Sequence, residues 1–316
     1  MKGKAIRAMK AKVVTATLAI PTYNRESVLL DTLRSALKLK PKPLEILVID
    51  QTPKHDKTTE DFLANANRRG VIRWLRQQPP SLTVARNRAI VEAKGDVLIF
   101  IDDDVVLPVD FIAMHLRNYQ DGKVQAVAGG VDQENKPQFP ERPGGWPRLL
   151  DYKYFSIYGQ KRTVGVATFM GCNHSARTHL LRKLGGYDAQ YIGSAFREDT
   201  DMAVRLWKSG GTIVFDPEAR LTHLAAPTGG CRINVPVKAN PEWWVPFNRH
   251  YFAFRHLFPS WEFWKMMLFR DLRETVLRKA NVFHPWRIPG SFLSYNYSAL
   301  RALWNAIKKG REEAGR

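Results

Sequence analysis

The sequence predicts an α/β protein built on a mixed, mainly parallel sheet flanked by helices, and three observations carry that expectation. Short apolar runs alternate with amphipathic stretches from about residue 13 to residue 215. The runs are rich in Val, Ile and Leu without polar alternation, as strands covered on both faces are. Acidic residues follow directly on two of these runs, at Asp50 and at Asp102, Asp103 and Asp104. In open α/β sheets ligands gather just beyond the carboxyl ends of the strands.

Taken in order, the expected strands are residues 13–20, 45–49, 71–75, 97–101, 125–128 and 212–215. The expected helices between them are 25–39, 59–67, 84–93, 110–119 and 199–208. The first run follows Lys2, Lys4, Arg7, Lys10 and Lys12 and so imitates the start of a secretory signal. It lacks a small-residue cleavage site, is rich in β-branched residues and ends in Pro21, and is read as the first strand. No other stretch is long and uncharged enough to cross a bilayer. Residues 133–147 are rich in proline and glycine and read as a long surface loop. A second loop falls at Pro227-Thr228-Gly229-Gly230-Cys231-Arg232, after which the character changes. The expected division is a basic extension at 1–12, an α/β domain at 13–232, and a helical, basic, aromatic-rich region at 233–316.

Composition narrows the function classes. With 44% hydrophobic and 25% charged residues, the 316-residue chain is globular rather than disordered. Its two cysteines, Cys172 and Cys231, have no metal-site or disulfide-framework spacing, which fits a reducing compartment. The net charge of +19 favours anionic partners, or is simply a solvated basic surface. Trp243, Trp244, Phe252, Phe254, Phe258, Trp261, Phe263 and Trp264 lie among arginines and histidines. They suit either a helical subdomain packed on the core or the interface of an anionic membrane, with residues 261–279 having the composition of an amphipathic helix. No nucleic-acid module is recognisable, and no nucleic-acid partner is expected.

Three groups could do chemistry. Three adjacent carboxylates after an apolar strand repel one another and invite a hard divalent cation, unless they form only a hydrated acidic turn. Glu198-Asp199-Thr200-Asp201 opens an amphipathic helix, where acids serve as caps or, at Asp199, as a general base. His223 is either structural or a ligand to a metal already held by carboxylates.

In combination these elements resemble a family 2 glycosyltransferase of the GT-A fold, over roughly residues 14–232. The resemblance rests on Pro21-Thr22-Tyr23-Asn24-Arg25 after the first strand, Asp50 after the second, Ala85-Arg86-Asn87 and Asp102-Asp103-Asp104. It continues through Gly171-Cys172-Asn173, Gly185-Gly186-Tyr187-Asp188, Glu198-Asp199 and His223. The resemblance implies an inverting enzyme that uses a nucleotide-sugar donor. It implies that Pro21, Thr22 and Asp50 line the base pocket, that Arg86 lies near the base or diphosphate, and that Asp102 faces the ribose. Tyr23, Arg25, Asp103, Asn173 and Glu198 would belong to the same donor-binding set, Asp103 without a separate role. Asp104 and His223 would hold Mn²⁺ or Mg²⁺, Asp199 would be the catalytic base, and Arg232 would reach the diphosphate. The second strand departs from the family's commonest ending of two acids and a small polar residue, because Gln51 and Thr52 follow Asp50. A UDP- or dTDP-sugar is expected, with the base left open by that change.

The expected acceptor is a glycan or lipid-linked molecule of cell-envelope synthesis, at the cytoplasmic face of an anionic membrane. Two other readings have weaker footing. A sugar-1-phosphate nucleotidyltransferase would carry a glycine-rich basic loop after its first strand, where this chain has Pro21-Thr22-Tyr23-Asn24-Arg25. A non-catalytic membrane- or nucleic-acid-binding scaffold would have lost acids that are all present here.

Overall fold

A computed structural model describes residues 13–133, 161–230 and 244–315. The basic extension, most of the proline-rich loop, Cys231, Arg232 and Trp243 lie outside the described residues. The apolar run after residue 13 becomes β1 (Ala16–Thr22), buried at every position. It pairs in parallel with β2 (Glu45–Asp50) on one side and β4 (Val97–Ile101) on the other. Such a central strand has no solvent face, which explains its unbroken apolar character. β3 (Arg73–Arg76) forms the edge beyond β2 and begins two residues later than expected. Val71 N–H donates to the Ala66 carbonyl at 3.1 Å and so still belongs to the end of the preceding helix.

α1 (Ser27–Leu37), α2 (Lys57–Arg68) and α3 (Leu82–Glu92) connect these strands. Asp56 caps α2 by accepting from Thr59 N–H at 2.7 Å. In the second half β6 (Val124–Asp132) and β9 (Thr212–His223) run parallel to each other. β8 (Asn173–Arg177) is inserted between β4 and β6, antiparallel to both. The short β5 (Val105–Val106) and β7 (Thr163–Val164) run antiparallel to β9. The order across the sheet is β3-β2-β1-β4-β8-β6-β9-β5, with β7 also on β9.

β8 escapes a reading by hydrophobicity because its inward residues are polar. Asn173, His174 and Ser175 are all buried. Asn173 and Ser175 bond to α4 (Phe111–Leu116) and the turn that continues it, while His174 bonds to the Met170 carbonyl (2.8 Å) and the Tyr187 hydroxyl (2.6 Å). Asn173 Nδ2 donates to the carbonyls of Gly130 (2.7 Å) and Ala219 (2.8 Å), which leaves its Oδ1 to accept from His115 Nε2 at 3.0 Å. His115 Nδ1 then accepts from Ser175 Oγ at 2.9 Å, and Ser175 in turn accepts from Tyr119 O–H at 2.8 Å. Burial pushes the His115 pKa down to about 4, so the neutral ring this pattern needs is the stable form. A fully satisfied buried network of this kind fixes one register.

Apolar side chains fill both faces of the sheet. A third cluster joins α6 (Glu198–Lys208) to the C-terminal helices through Tyr191, Val204, Phe247 and Tyr251. Those helices are α7 (Trp244–His256), a series of short helical turns from Trp261 to Thr275, and a long final helix Ile288–Ala314. Among the described residues no helix is long and apolar enough to cross a membrane.

Candidate active site

The carboxyl ends of β1 and β4 open into a cleft of about 560 Å³. Pro21, Thr22, Tyr23 and Arg25 line it from the β1 end, and Asp102, Asp103 and Asp104 from the β4 end. Arg86, Gly171, Glu198 and Asp199 close the opposite wall, and His223 and Gly230 also line the cleft. Four non-glycine residues among those described have positive φ: Asn24 (50°), Ala195 (53°), Arg197 (78°) and Ala225 (53°). All four lie on loops that border this cleft. Backbone held in that region is costly and persists where the surroundings enforce it.

The three aspartates have different surroundings. Asp103 is buried, accepts from Thr22 Oγ1 at 2.7 Å and pairs with Arg25 Nε at 3.4 Å. Burial pushes its carboxyl up to about 7 despite the Arg25 charge. Thr32 Oγ1 lies 3.0 and 2.9 Å from the carbonyls of Asp103 and Val105 and accepts from Val105 N–H at 3.0 Å, so α1 pins the turn. Asp104 Oδ2 accepts from Ala226 N–H (2.9 Å) and Arg25 NH2 (3.3 Å). Its other oxygen, Oδ1, lies 3.2 Å from His223 Nε2. Burial alone would raise the Asp104 carboxyl, but the His223 contact and the Arg25 charge hold it below the usual range. Asp102 points further into the cleft, with Oδ2 at 3.9 Å from His223 Nε2. Burial raises its pKa, Arg86 opposes that, and the neighbouring Asp104 charge adds to it.

His223 reaches Asp104 because β5 and β9 pair antiparallel with Val105 opposite His223. One ligand atom each from Asp102, Asp104 and His223 lies within 4.8 Å of the others. Two carboxylate oxygens and an imidazole nitrogen, one carboxylate already clamped through its second oxygen, form a donor set suited to Mn²⁺ or Mg²⁺.

The opposite wall is organised around Arg86, which is almost fully buried on α3. Its guanidinium pairs with Glu198, donates to the Gly171 carbonyl at 3.0 Å and lies 3.9 Å from Asp102. Burial works against this charge, and the Glu198 carboxylate outweighs it, so the Arg86 pKa is raised. The same Gly171 peptide donates its N–H to Asp199 Oδ2 at 3.0 Å. A Cβ at Gly171 would come within 2.7 Å of Arg86 NH2, so a larger residue there has to displace the guanidinium. Asp199 thus sits at the first turn of α6 with one oxygen fixed by Gly171 and the other by Thr200 N–H at 2.6 Å.

Two residues expected to contact the donor lie behind the cleft lining. Asp50 is fully buried and does not line the cleft. His55 Nε2 (2.9 Å), Trp74 Nε1 (2.9 Å) and Arg76 NH1 (3.2 Å) surround its Oδ2, and Thr52 N–H (2.8 Å) occupies its Oδ1. Gln51 lines the cleft in its place, with Oε1 accepting from Ser81 N–H at 2.6 Å. Asn173 also lies behind the wall, its amide spent on the carbonyls of Gly130 in β6 and Ala219 in β9. Arg232 lies outside the described residues. Sequence reasoning missed Gln51 and Gly171 as cleft residues, and also Arg197, which lines the cleft in a left-handed conformation. For Gln51 the signal was present as the departure from the acid-acid strand ending. For Arg197 it was the basic residue directly before the Glu198-Asp199 pair.

Known proteins share the sequence family and the fold. Residues 17–185 match the model of glycosyl transferase family 2. The probable glycosyltransferase YdaM of Bacillus subtilis (strain 168) is 27% identical over 64% of this chain and 49% of its own. The succinoglycan biosynthesis protein ExoM of Rhizobium meliloti (strain 1021) is 27% identical over 64% of each chain. The chain therefore spans about half to two thirds of the length of these relatives. Among solved structures, GalNAc-T7 with UDP, GalNAc and Mn²⁺ superposes with a TM-score of 0.56 at 18% identity, over 77% of this chain and 51% of that one. The mannosyltransferase PcManGT from Pyrobaculum calidifontis, in complex with GDP-Man and Mn²⁺, gives 0.51 at 18% identity, over 96% and 80%. These two share the GT-A fold with the present sheet. With the family match running from β1 through the aspartates to α5 (Thr178–Lys183), the chain belongs to glycosyl transferase family 2.

Proposed function

We propose that this chain is an inverting glycosyltransferase that moves a sugar from a nucleoside-diphosphate donor to an acceptor hydroxyl of a glycan or lipid-linked molecule. The observation that carries the reading is one cleft with two differently prepared acidic groups. Asp102, Asp104 and His223 converge within 4.8 Å on one side, and Asp199 stands fixed by Gly171 on the other. Asp104 and His223, with Asp102 beside them, would hold Mn²⁺ or Mg²⁺. A bound divalent ion supplies charge stabilisation to a departing diphosphate.

The remaining chemistry belongs to the chain's own residues. Arg25, spanning Asp103 and Asp104, holds both carboxylates in place at the phosphate side. Gln51 and Ser81 line the part of the cleft beside Pro21 and Thr22, where the base of the donor would lie. Asp199 accepts the proton of the acceptor hydroxyl as its oxygen attacks the anomeric carbon from the face opposite the diphosphate. A single displacement inverts that carbon. The two solved structures named above hold Mn²⁺ with a nucleotide or nucleotide sugar, and the relative ExoM is named for a polysaccharide pathway. Both facts support the choice of donor and acceptor class, in cell-envelope glycan synthesis at the inner face of the membrane.

The test is a calorimetric screen of UDP-, dTDP- and GDP-sugars with Mn²⁺ or Mg²⁺, followed by transfer assays and anomeric NMR on the product. Inverted product from a donor that binds only with metal is expected. A retained anomeric configuration, or no nucleotide sugar bound at any metal concentration, contradicts the proposal.

A further inference from the structure

The final helix Ile288–Ala314 has two apolar faces, and only one of them is packed. Tyr295, Ser298 and Ala302 are buried on the inward face, where Tyr295 O–H donates to the Met267 carbonyl at 2.7 Å. On the outward side Phe292, Leu293, Leu300, Leu303, Trp304 and Ile307 are between 37% and 70% exposed. Their spacing by three, four and seven residues places them on one continuous stripe. Just before the helix, Phe283 and Trp286 are more exposed still, at 78% and 71%. Exposed Arg301, Lys308 and Arg311 accompany the stripe. An apolar surface of this extent marks an interaction site rather than ordinary solvent-facing surface.

We propose that this face lies on an anionic phospholipid surface, with the helix in the interfacial plane. Charge selects that occupant over a second copy of the chain. Two molecules of net charge +19 repel each other, whereas basic side chains beside an apolar stripe are drawn to acidic headgroups. Trp and Tyr suit that boundary, where one end of the side chain is apolar and the other wet. No described helix is both long and apolar enough to span, so the geometry is that of a helix lying on the membrane rather than crossing it.

The docked face is mechanically tied to the cleft. Asn305 Nδ2 on the final helix donates to Gln190 Oε1 at 2.9 Å. The neighbouring α7 grips the same loop: Ile192 N–H donates to Asn248 Oδ1 (3.2 Å) and Asn248 Nδ2 donates to the Ile192 carbonyl (2.9 Å). That loop continues as residues 193–199, the cleft wall that ends in Asp199. Membrane docking therefore braces the wall next to the proposed base and favours an acceptor that is itself presented at the lipid surface. This last point rests on the transferase reading, while the docking does not.

Flotation of the full chain with vesicles tests the docking directly. Binding is expected to vesicles of phosphatidylcholine mixed with phosphatidylglycerol, to weaken at high salt, and to be absent with phosphatidylcholine alone. Leu300→Glu combined with Trp304→Glu should lower partitioning at least about tenfold, while metal-dependent nucleotide binding stays unchanged. Should that pair disturb folding, Lys308→Glu combined with Arg311→Glu tests the electrostatic half and should lower partitioning on an intact apolar face. The inference is overturned by no flotation at low salt or by variants that float like the parent. It is overturned equally by a dimer in light scattering that the same substitutions dissolve, which would assign the face to a second copy. Loss of nucleotide binding in the parent chain would sink the transferase reading and leave the flotation result standing.

Discussion

The carboxyl ends of β2 and β4 look alike in the sequence and behave oppositely in the fold. Each is an apolar strand that runs directly into aspartate. At the end of β2, Asp50 is ringed by His55, Trp74, Arg76 and Thr52, and every one of those contacts comes from the protein itself. At the end of β4, Asp104 has one oxygen held by Ala226 and Arg25 and turns the other towards His223 and the cleft. A strand-end acid is thus either part of the scaffold or part of the site, and which one depends on how many of its acceptor positions the fold already fills. Closed coordination makes Asp50 a structural residue. On the function proposed above, Asp104, whose Oδ1 is turned to His223 and the cleft, is a binding residue.

Substitutions can break or sharpen that contrast. The largest effect is expected at Asp104→Ala, which should lower transfer by about a thousandfold or more. Comparable transfer at saturating Mn²⁺ would move the metal site elsewhere. Asp199→Asn should cost about a hundred- to ten-thousandfold in kcat yet bind the donor normally by calorimetry. Unchanged turnover would remove Asp199 as the base.

Asp50→Ala should act in the other direction of the comparison. It strands the buried His55 and Trp74 donors and is expected to cost about 2–4 kcal/mol in urea unfolding, with donor affinity nearly unchanged. A normal melting curve with a large rise in donor KM would show that Asp50 touches the nucleotide after all. The smallest effect is expected at Gln51→Ala, a few-fold rise in donor KM, consistent with loss of about one hydrogen bond at the cleft wall. If KM for the donor does not move, Gln51 serves only to hold Ser81.

Much of the first half of the molecule was legible because its central strands β1, β2 and β4 are buried and mostly apolar. β1, β2 and β4 begin and end within a few residues of expectation, and α2 and α6 likewise. The second half was harder to read. β8 is a strand made of Asn-His-Ser-Ala-Arg, and its burial depends on partners such as His115, Tyr119, Gly130, Tyr187 and Ala219. Its antiparallel insertion between β4 and β6 cannot be seen without those partners. The site shows the same division. Asp102 to Asp104 and the Glu198-Asp199 pair were visible as local clusters, whereas the place of His223 depends on a two-residue strand, β5, opposite the end of β9. Asp50 and Asn173 were placed in the donor pocket by their position along the chain, and their hydrogen bonds put them behind it instead. The aromatic C-terminal region divides in the same way: Phe247, Tyr251 and Phe263 are core, while Trp261 and Trp304 face outward.

The most direct measurement is titration of UDP, dTDP and GDP into the parent protein and into Asp104→Ala and Asp50→Ala, each in Mn²⁺ and again in excess EDTA. Binding of at least one nucleotide that requires the metal, disappears in Asp104→Ala and survives in Asp50→Ala is the expected result. Equal binding in EDTA and Mn²⁺, or loss in Asp50→Ala with retention in Asp104→Ala, would contradict the assignment of the β4 end as the metal and diphosphate site.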